Sequence, residues 1–574
     1  MSKTVIIIGG GVAGMSAAHE LAERGFKVKV YEKQSLYAGG KARSVDVPDS
    51  ASGSNRALPG EHGFRFFPGF YRHITDTMKR IPVKGNKEGA FSNLVPTQRV
   101  MMARFDKVPL ETIVSFPRTL EDLKVALQAV FHSDTGLTVS DADFFAEKLW
   151  QLMTSCYERR GGELERIGWW QFLDADHRSE PFRQYFVGGI TRTLVAAQPK
   201  EVSTKTGGDI LLQLLFLMGN PKAYPDRVLN GPTNDAWLDH WKAYLQSLGV
   251  EYYHDHTAVR INTDDKVITS VDFRNGDKEQ TVNVTGDYFI SAVPVEVMCK
   301  LLNDGLLKLD PSLAFIGELF DDTAWMTGIQ FFLNEDVQIT KGHVMYTDSP
   351  WALTSISQLQ FWKGFDISKF GDGKTKGVLS VDISDWDNPG LLNKIRAKDC
   401  SREDIMKDVW AQLKRSLVTQ DGKCLLRDDM LVTWYLDRDI VFPGNNSTNE
   451  EPLLVNKVNT WSRRPEAYTD IPNFFLASDY VRTYTDLATM EGANEAARRA
   501  VNAIIERSGV RAKYCTIWHL HEPDLLAVYR WHDKQRFKKG LPWSKEVPWI
   551  IRAIHAVLHI FNKTFKHDPI PTRN

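Results

Sequence analysis

Three glycines near the start of the chain, Gly9, Gly11 and Gly14, form G-x-G-x-x-G, and Glu32 follows 18 residues after the last of them. Together they suit the pyrophosphate and ribose of a dinucleotide. The first glycine permits a tight turn, the second lets pyrophosphate approach the backbone, and the third lets helix and strand pack closely. Val12 and Ala13 lie within this turn, and the helix that follows it faces the phosphates with its free N–H groups. Glu32, followed by Lys33, stands where a carboxylate accepts the ribose hydroxyls. The flanks must hold these groups in place. Val5–Ile8 is the apolar, β-branched run of a fully buried parallel strand, and Met15–Arg24 repeats apolar residues at helical spacing. Gly25 closes the helix and Lys27–Tyr31 reads as a second strand. Strand, helix and acid at these distances point to a dinucleotide site rather than an ordinary βαβ unit.

Two further segments carry the same chemistry. "KQSLYAGGKARS" follows Glu32 and contains Gly39, Gly40, Lys41, Ala42 and Arg43. Paired glycines let backbone pass close to a cofactor, and Arg43 is suited to neutralise pyrophosphate charge. Far along the chain, "IPNFFLASDYVRTYTDLATMEGANEAARRAVNAII" has a buried-strand pattern at Phe474–Ala477, then Asp479, then a helix opened by Met490, Glu491, Gly492 and Ala493. These segments resemble the second and closing FAD signatures of the flavin amine oxidase and carotenoid desaturase superfamily, and the resemblance covers most of residues 1–508. It is nearest to the bacterial phytoene, zeta-carotene and hydroxysqualene-processing branch. It implies an α/β fold: a discontinuous Rossmann-type FAD-binding domain with a mixed-sheet-plus-helices substrate domain. It also implies that Asp479 meets the pyrophosphate–ribityl region, that the helix opened by Met490 points its positive end at the flavin C2 carbonyl, and that the backbone at Val259 flanks the adenine.

"EHGFRFFPGFYRH", Glu61–His73, is the loop that passes near the flavin in the family. The resemblance suggests that Glu61, His62 and Gly63 lie on the ribityl or adenosine side and that Arg65 faces the N1–C2=O locus. Phe64, Phe66, Phe67 and Phe70 would wall a hydrophobic channel. Amine-oxidising relatives carry a lysine in the strand after the "SAVP" segment and an aromatic residue just before M-E-G. Here "AWMTGIQFFL" has no lysine, and Thr489 precedes Met490. Both departures disfavour amine oxidation. The expected catalyst is the flavin itself, with Arg65, His343 and Gln358 as weaker candidates; Trp351 and Arg464 read more readily as structural. The leading expectation is hydride removal from a long apolar isoprenoid or similar lipid held flat against the flavin. The alternatives are an amine or amino-acid oxidase releasing hydrogen peroxide, a redox-neutral lipid isomerase or hydratase, and a lipid carrier.

Composition sets the wider bounds. The 574 residues include 71 Lys plus Arg against 72 Asp plus Glu, so no charge excess draws the chain to nucleic acid. Five scattered cysteines without C-x-x-C spacing suggest a reduced, cytoplasmic protein with no structural metal. No apolar run of spanning length is present, and the glycine motif leaves no room for a signal peptide before it. The expected division is FAD-binding segments 1–75, 228–294 and 471–508, substrate-domain segments 76–227 (largely helical) and 295–470, and a C-terminal extension 509–574. Within the first insert, Phe144, Phe145, Leu149, Leu152 and Met153 form one helical stripe. In the extension, Trp549, Ile550, Ile554, Val557, Leu558 and Phe561 alternate with Arg552, His555, His559, Lys563 and Lys566. That pattern fits either an interfacial membrane helix or one docked on the protein's own core.

Overall fold

The computed structural model describes residues 3–112, 135–189, 198–218, 226–276, 280–419, 421–443 and 447–564. The opening strand β1 (Thr4–Ile8), the helix α1 (Val12–Ala22) and strand β2 (Lys27–Tyr31) form the expected βαβ unit. Val5–Ile8 are almost fully buried, as a strand covered on both faces requires. Gly14 allows α1 to lie on β1, because a Cβ there would sit 2.0 Å from the Gly9 carbonyl oxygen.

Around β1 a five-stranded parallel sheet assembles from distant parts of the chain. Its order is Glu251–Tyr253, β2, β1, Tyr288–Ser291 and Phe474–Leu476. The closing helix Met490–Ser508 packs against α1, and Thr489 caps it by accepting the Gly492 N–H at 3.1 Å. Glu20 of α1 is buried between Arg24, Arg80 and Arg498, at 2.6 Å from Arg24 and 3.3 Å from Arg498. Burial alone would raise its pKa, but the arginines outweigh that and hold it at about 2.

A second sheet of seven strands lies over this layer. In order it runs Leu431–Leu436, Thr327–Leu333, Gly377–Ile383, Thr354–Ser357, Gly342–Tyr346, Arg99–Arg104 and Lys107–Thr112. Its last two strands come from the first insert, expected to be largely helical; Arg99–Arg104 pairs in parallel with Gly342–Tyr346. The helix Val139–Thr154 follows the expected stripe, with Phe145, Leu149, Leu152 and Met153 buried and Phe144 partly so. Thr138 and Asp141 close its start as a capping box.

The C-terminal extension is tied to this helical layer. Cys156 N–H and Arg159 reach Asp533 at 2.9 and 3.0 Å, and the Trp543 indole N–H donates to Thr154 at 3.1 Å. The tail helix Trp549–Thr564 follows. Ile551 is buried against the protein, while Trp549 is 72% exposed and Ile550, Ile554, Val557 and Leu558 are also exposed. Lys566 lies outside the described residues, as do the side chains of His559, Phe561 and Lys563. Among the described residues no helix is long and apolar enough to cross a membrane.

Candidate functional site

One cavity of about 390 Å³ runs between the two sheets and gathers residues from both ends of the chain. One half is lined by Gly9, Gly11, Val12 and Ala13, by Glu32 and Lys33, by Gly39–Ala42, and by Asp479, Met490 and Ala493. The glycine loops meet there: Gly11 and Gly39 form a β-bridge, and a Cβ on Gly11 would come 3.6 Å from the Gly40 Cα. Gly9 and Gly39 hold φ of 98° and 100°, the left-handed range that glycine adopts without strain. No side chain caps α1 at Gly11, so its first N–H groups are open to an anion. Glu32 is buried and accepts the Gly10 and Gln34 N–H groups at 2.6 and 2.8 Å, with its carboxylate on the cavity wall. Burial raises its pKa against the pull of those two donors. Lys41 pairs with Glu296 at 2.9 Å at the cavity edge. A cradle of one open helix N-terminus, close-set glycines and one ribose-side acid fits FAD.

Several residues expected in this half lie elsewhere. Arg43 does not line the cavity. It is buried in an acidic knot, 2.7 Å from Asp439 and 3.1 Å from Glu451. Lys41, two residues earlier, lines the wall instead, since the pull of Asp439 and Glu451 turns Arg43 away from it. Glu491 is turned into the protein, accepting N–H groups of Arg72, His73 and Ile74 at 2.7–2.9 Å and so capping the helix His73–Arg80. Burial would raise its pKa, but the His73 ring and these donors lower it overall. Val259 is 43% exposed and off the cavity. It is the extra residue of a β-bulge, since Ala258 faces Phe273 and Arg260 faces Asp272. Thr257 and Ala258 line the cavity instead. Glu61 sits behind the wall, accepting the Thr233 N–H at 2.9 Å, and burial lifts its pKa to about 7.

The other half is walled by Phe64, Phe66, Phe70, Ile210, Leu214 and Met326. Phe67 turns into the core beside Trp237 and takes no part. His62 and Arg65 line this half, with His62 Nδ1 bonded to Asp437 at 2.8 Å and the Arg65 Nε donating to the Gly63 carbonyl at 3.0 Å. His343 also lines it, edge-on to Phe64, and burial lowers its pKa to about 4. Gln358 does not; its amide is used on Ser380 at 3.2 Å within the sheet. Trp351 and Arg464 are buried structural residues, the latter bonded to the Asp479 carbonyl at 3.0 Å and to Asn456 at 2.9 Å. The structure adds two polar residues that the sequence reading passed over, Thr327 and Asp382, both on the wall and on adjacent strands of the seven-stranded sheet. The only available signal for Asp382 was an acid inside the otherwise apolar run "GVLSVDIS".

Comparison with known proteins agrees with this geometry. The chain is 21% identical over 540 residues to the 15-cis-phytoene desaturase of Glycine max, covering 88% of this chain and 80% of that protein. It is 22% identical to the zeta-carotene desaturase of Synechocystis sp., covering 87% and 97%. A solved structure of putrescine oxidase bound to putrescine shares the fold, with a TM-score of 0.56 at 11% identity over 88% of this chain and 99% of that one. The family model for flavin containing amine oxidoreductases matches residues 12–505, a span that takes in Gly14, Glu32, the Gly39–Gly40 turn and most of the closing helix. The chain therefore belongs to the flavin containing amine oxidoreductase family and is an FAD-dependent oxidoreductase.

Proposed function

We propose that the protein is a desaturase or dehydrogenase of a long, apolar isoprenoid or similar lipid. The observation that carries this is the substrate half of the cavity, where Phe64, Phe66, Phe70, Ile210, Leu214 and Met326 form an aromatic and aliphatic wall. The strand that carries a lysine in amine-oxidising relatives here presents Met326 and Thr327 to the cavity, and Thr489 stands before the closing helix. An amine substrate would find neither group. A polyene needs little beyond being held flat in a dry slot. The distant likeness to phytoene and zeta-carotene desaturases supports the same class.

When bound, FAD supplies a two-electron acceptor. The protein's share is to seat it and to shape the space beside it. Gly11 and Gly40 keep the groove open, Glu32 takes the ribose side, and the uncapped start of α1 takes the pyrophosphate. The phenylalanines exclude water and align the chain of the substrate. Anaerobic mixing of the holoenzyme with phytoene-loaded liposomes and with a panel of amines tests the assignment. Bleaching by the polyene alone is expected. Bleaching by an amine, with peroxide on re-aeration, would replace this assignment with oxidase chemistry, and product formed with the flavin still oxidised would replace it with isomerisation.

A lipid substrate calls for access to a membrane surface. The exposed Trp549, Ile550, Ile554 and Val557 on a helix rich in basic residues supply a face suited to dip into one.

A further inference from the structure

We propose that Asp382 is the acid–base residue of the pocket, taking the proton that the substrate loses. This rests on the dehydrogenase assignment above. Asp382 lies on the strand Gly377–Ile383, opposite Gly328 on one neighbouring strand and Thr354 on the other. Its side chain lines the cavity and is 8% exposed. Its Oδ1 is buried and has no hydrogen-bond partner.

The surrounding backbone makes room for this arrangement. A Cβ on Gly63 would lie 2.6 Å from Asp382 Oδ1, and a Cβ on Gly328 would lie 2.6 Å from the His62 carbonyl oxygen and 2.7 Å from the Gly63 Cα. Two glycines thus let the loop that carries His62–Arg65 press onto the sheet over the acid. Among the other buried polar atoms on the same cavity that lack hydrogen-bond partners are Thr327 Oγ1, His343 Nε2 and His62 Nε2. An apolar cavity with a cluster of unpartnered polar atoms at one place is built for an event there, since each such atom is costly to bury unused.

The groups that face Asp382 are Arg65 and His62 from the loop, with Glu61 behind it; His343 lines the same cavity from its own strand. Burial raises the Asp382 pKa, the neighbouring Arg65 and His62 offset only part of that, and the result is about 7. His343, lowered to about 4, is a far weaker base. Proton transfer is most effective when the catalytic pKa is near the working pH, which selects Asp382 over His343.

The step balances as follows. One substrate C–H bond breaks and its proton forms an O–H bond with the Asp382 carboxylate. The electron pair of that bond becomes the new C=C π bond. The neighbouring carbon loses its hydrogen with both bonding electrons to oxidised FAD, which is reduced by two electrons.

The test uses the FAD-loaded enzyme and the variants Asp382→Asn and Asp382→Glu. In wild type, the visible spectrum of bound FAD should show a one-proton change between pH 5 and 9. Asp382→Asn should lose that change. With phytoene-loaded liposomes under argon, Asp382→Asn should hold the same FAD but slow flavin reduction by about 10²- to 10⁴-fold, and Asp382→Glu should recover part of the rate with a displaced pH profile. Wild-type reduction in Asp382→Asn, or a spectral titration that survives in it, would overturn the proposal. If Asp382→Asn fails to fold or to keep FAD, Asp382→Glu decides: a displaced profile supports the role and an unchanged one overturns it. A wild-type flavin that phytoene leaves oxidised, while the Asp382 titration is present, marks failure of the substrate assignment and not of the acid.

Discussion

Two glycines of one motif should respond to the same methyl group in opposite ways. Gly11 has φ of −70° and open space to 3.6 Å, so Gly11→Ala should fold normally while crowding the pyrophosphate groove. Gly14→Ala would place a Cβ 2.0 Å from the Gly9 carbonyl oxygen and should destabilise the fold itself. Flavin content and thermal midpoint, measured on both variants, separate the two; loss of stability in Gly11→Ala with full FAD would contradict this assignment. Glu32→Ala should weaken FAD binding by about 1.5–3 kcal/mol, the worth of hydrogen bonds to a charged group, read as a raised dissociation constant. The difference between these residues and those misplaced from sequence is physical. Glycine spacing reports a local backbone demand, so Gly9, Gly11 and Gly14 were legible without a fold. The direction of a side chain depends on partners that arrive from elsewhere. Arg43 is held by Asp439 and Glu451, and Glu491 by the helix at His73, partners about 400 residues away in sequence.

At the level of elements, the strands and helices that touch FAD were readable because each carries a periodic apolar pattern bounded by turn residues. The bulge that displaces Val259 was not, because one extra residue leaves the alternation of a short strand ambiguous. The knot at Glu20 joins α1, the helix His73–Arg80 and the closing helix, and it makes a pH prediction. Its folded pKa of about 2 lies below the usual 4.5, so its contribution is complete above pH 4.5 and is lost as pH falls through 2. The contribution is on the order of 3 kcal/mol. Glu20→Gln should lower stability at pH 7 and flatten the fall in stability between pH 4.5 and 2, as read by urea unfolding at a series of pH values. A wild-type slope in the variant would assign the acid sensitivity to other carboxylates. The tail helix makes a separate prediction. Removing residues 547–574 leaves the Trp543–Thr154 and Asp533–Arg159 ties in place. The truncated protein should keep its FAD but co-sediment less with anionic liposomes. If it unfolds, the buried Ile551 marks a structural clamp; if it still co-sediments, another surface meets the lipid.

At the scale of the molecule, the two largest sheets among the described residues meet at the cavity of the site, and each is stitched from separated stretches of chain. The flavin half of that cavity was foreseeable because motifs mark it. The substrate half was foreseeable only in part: the Glu61–His73 loop marked Phe64, Phe66 and Phe70, but Thr327 and Asp382 reach the cavity only through strand pairing in the seven-stranded sheet. The parallel sheet joins β1, completed by residue 8, to Phe474–Leu476, and the cavity also requires Met490 and Ala493. During synthesis, then, the glycine turn must wait for the last quarter of the chain before it has anything to close on. At about 5–20 residues per second, that wait is on the order of half a minute to a minute and a half. Throughout it the sheet lacks its Phe474–Leu476 strand and α1 lacks the closing helix, so apolar residues they will cover are available to chaperones or to wrong partners. Capture of the cofactor is consequently a late event in the life of each new chain. Ribosome-bound chains stalled before residue 470 should retain no flavin, however intact their N-terminal motif.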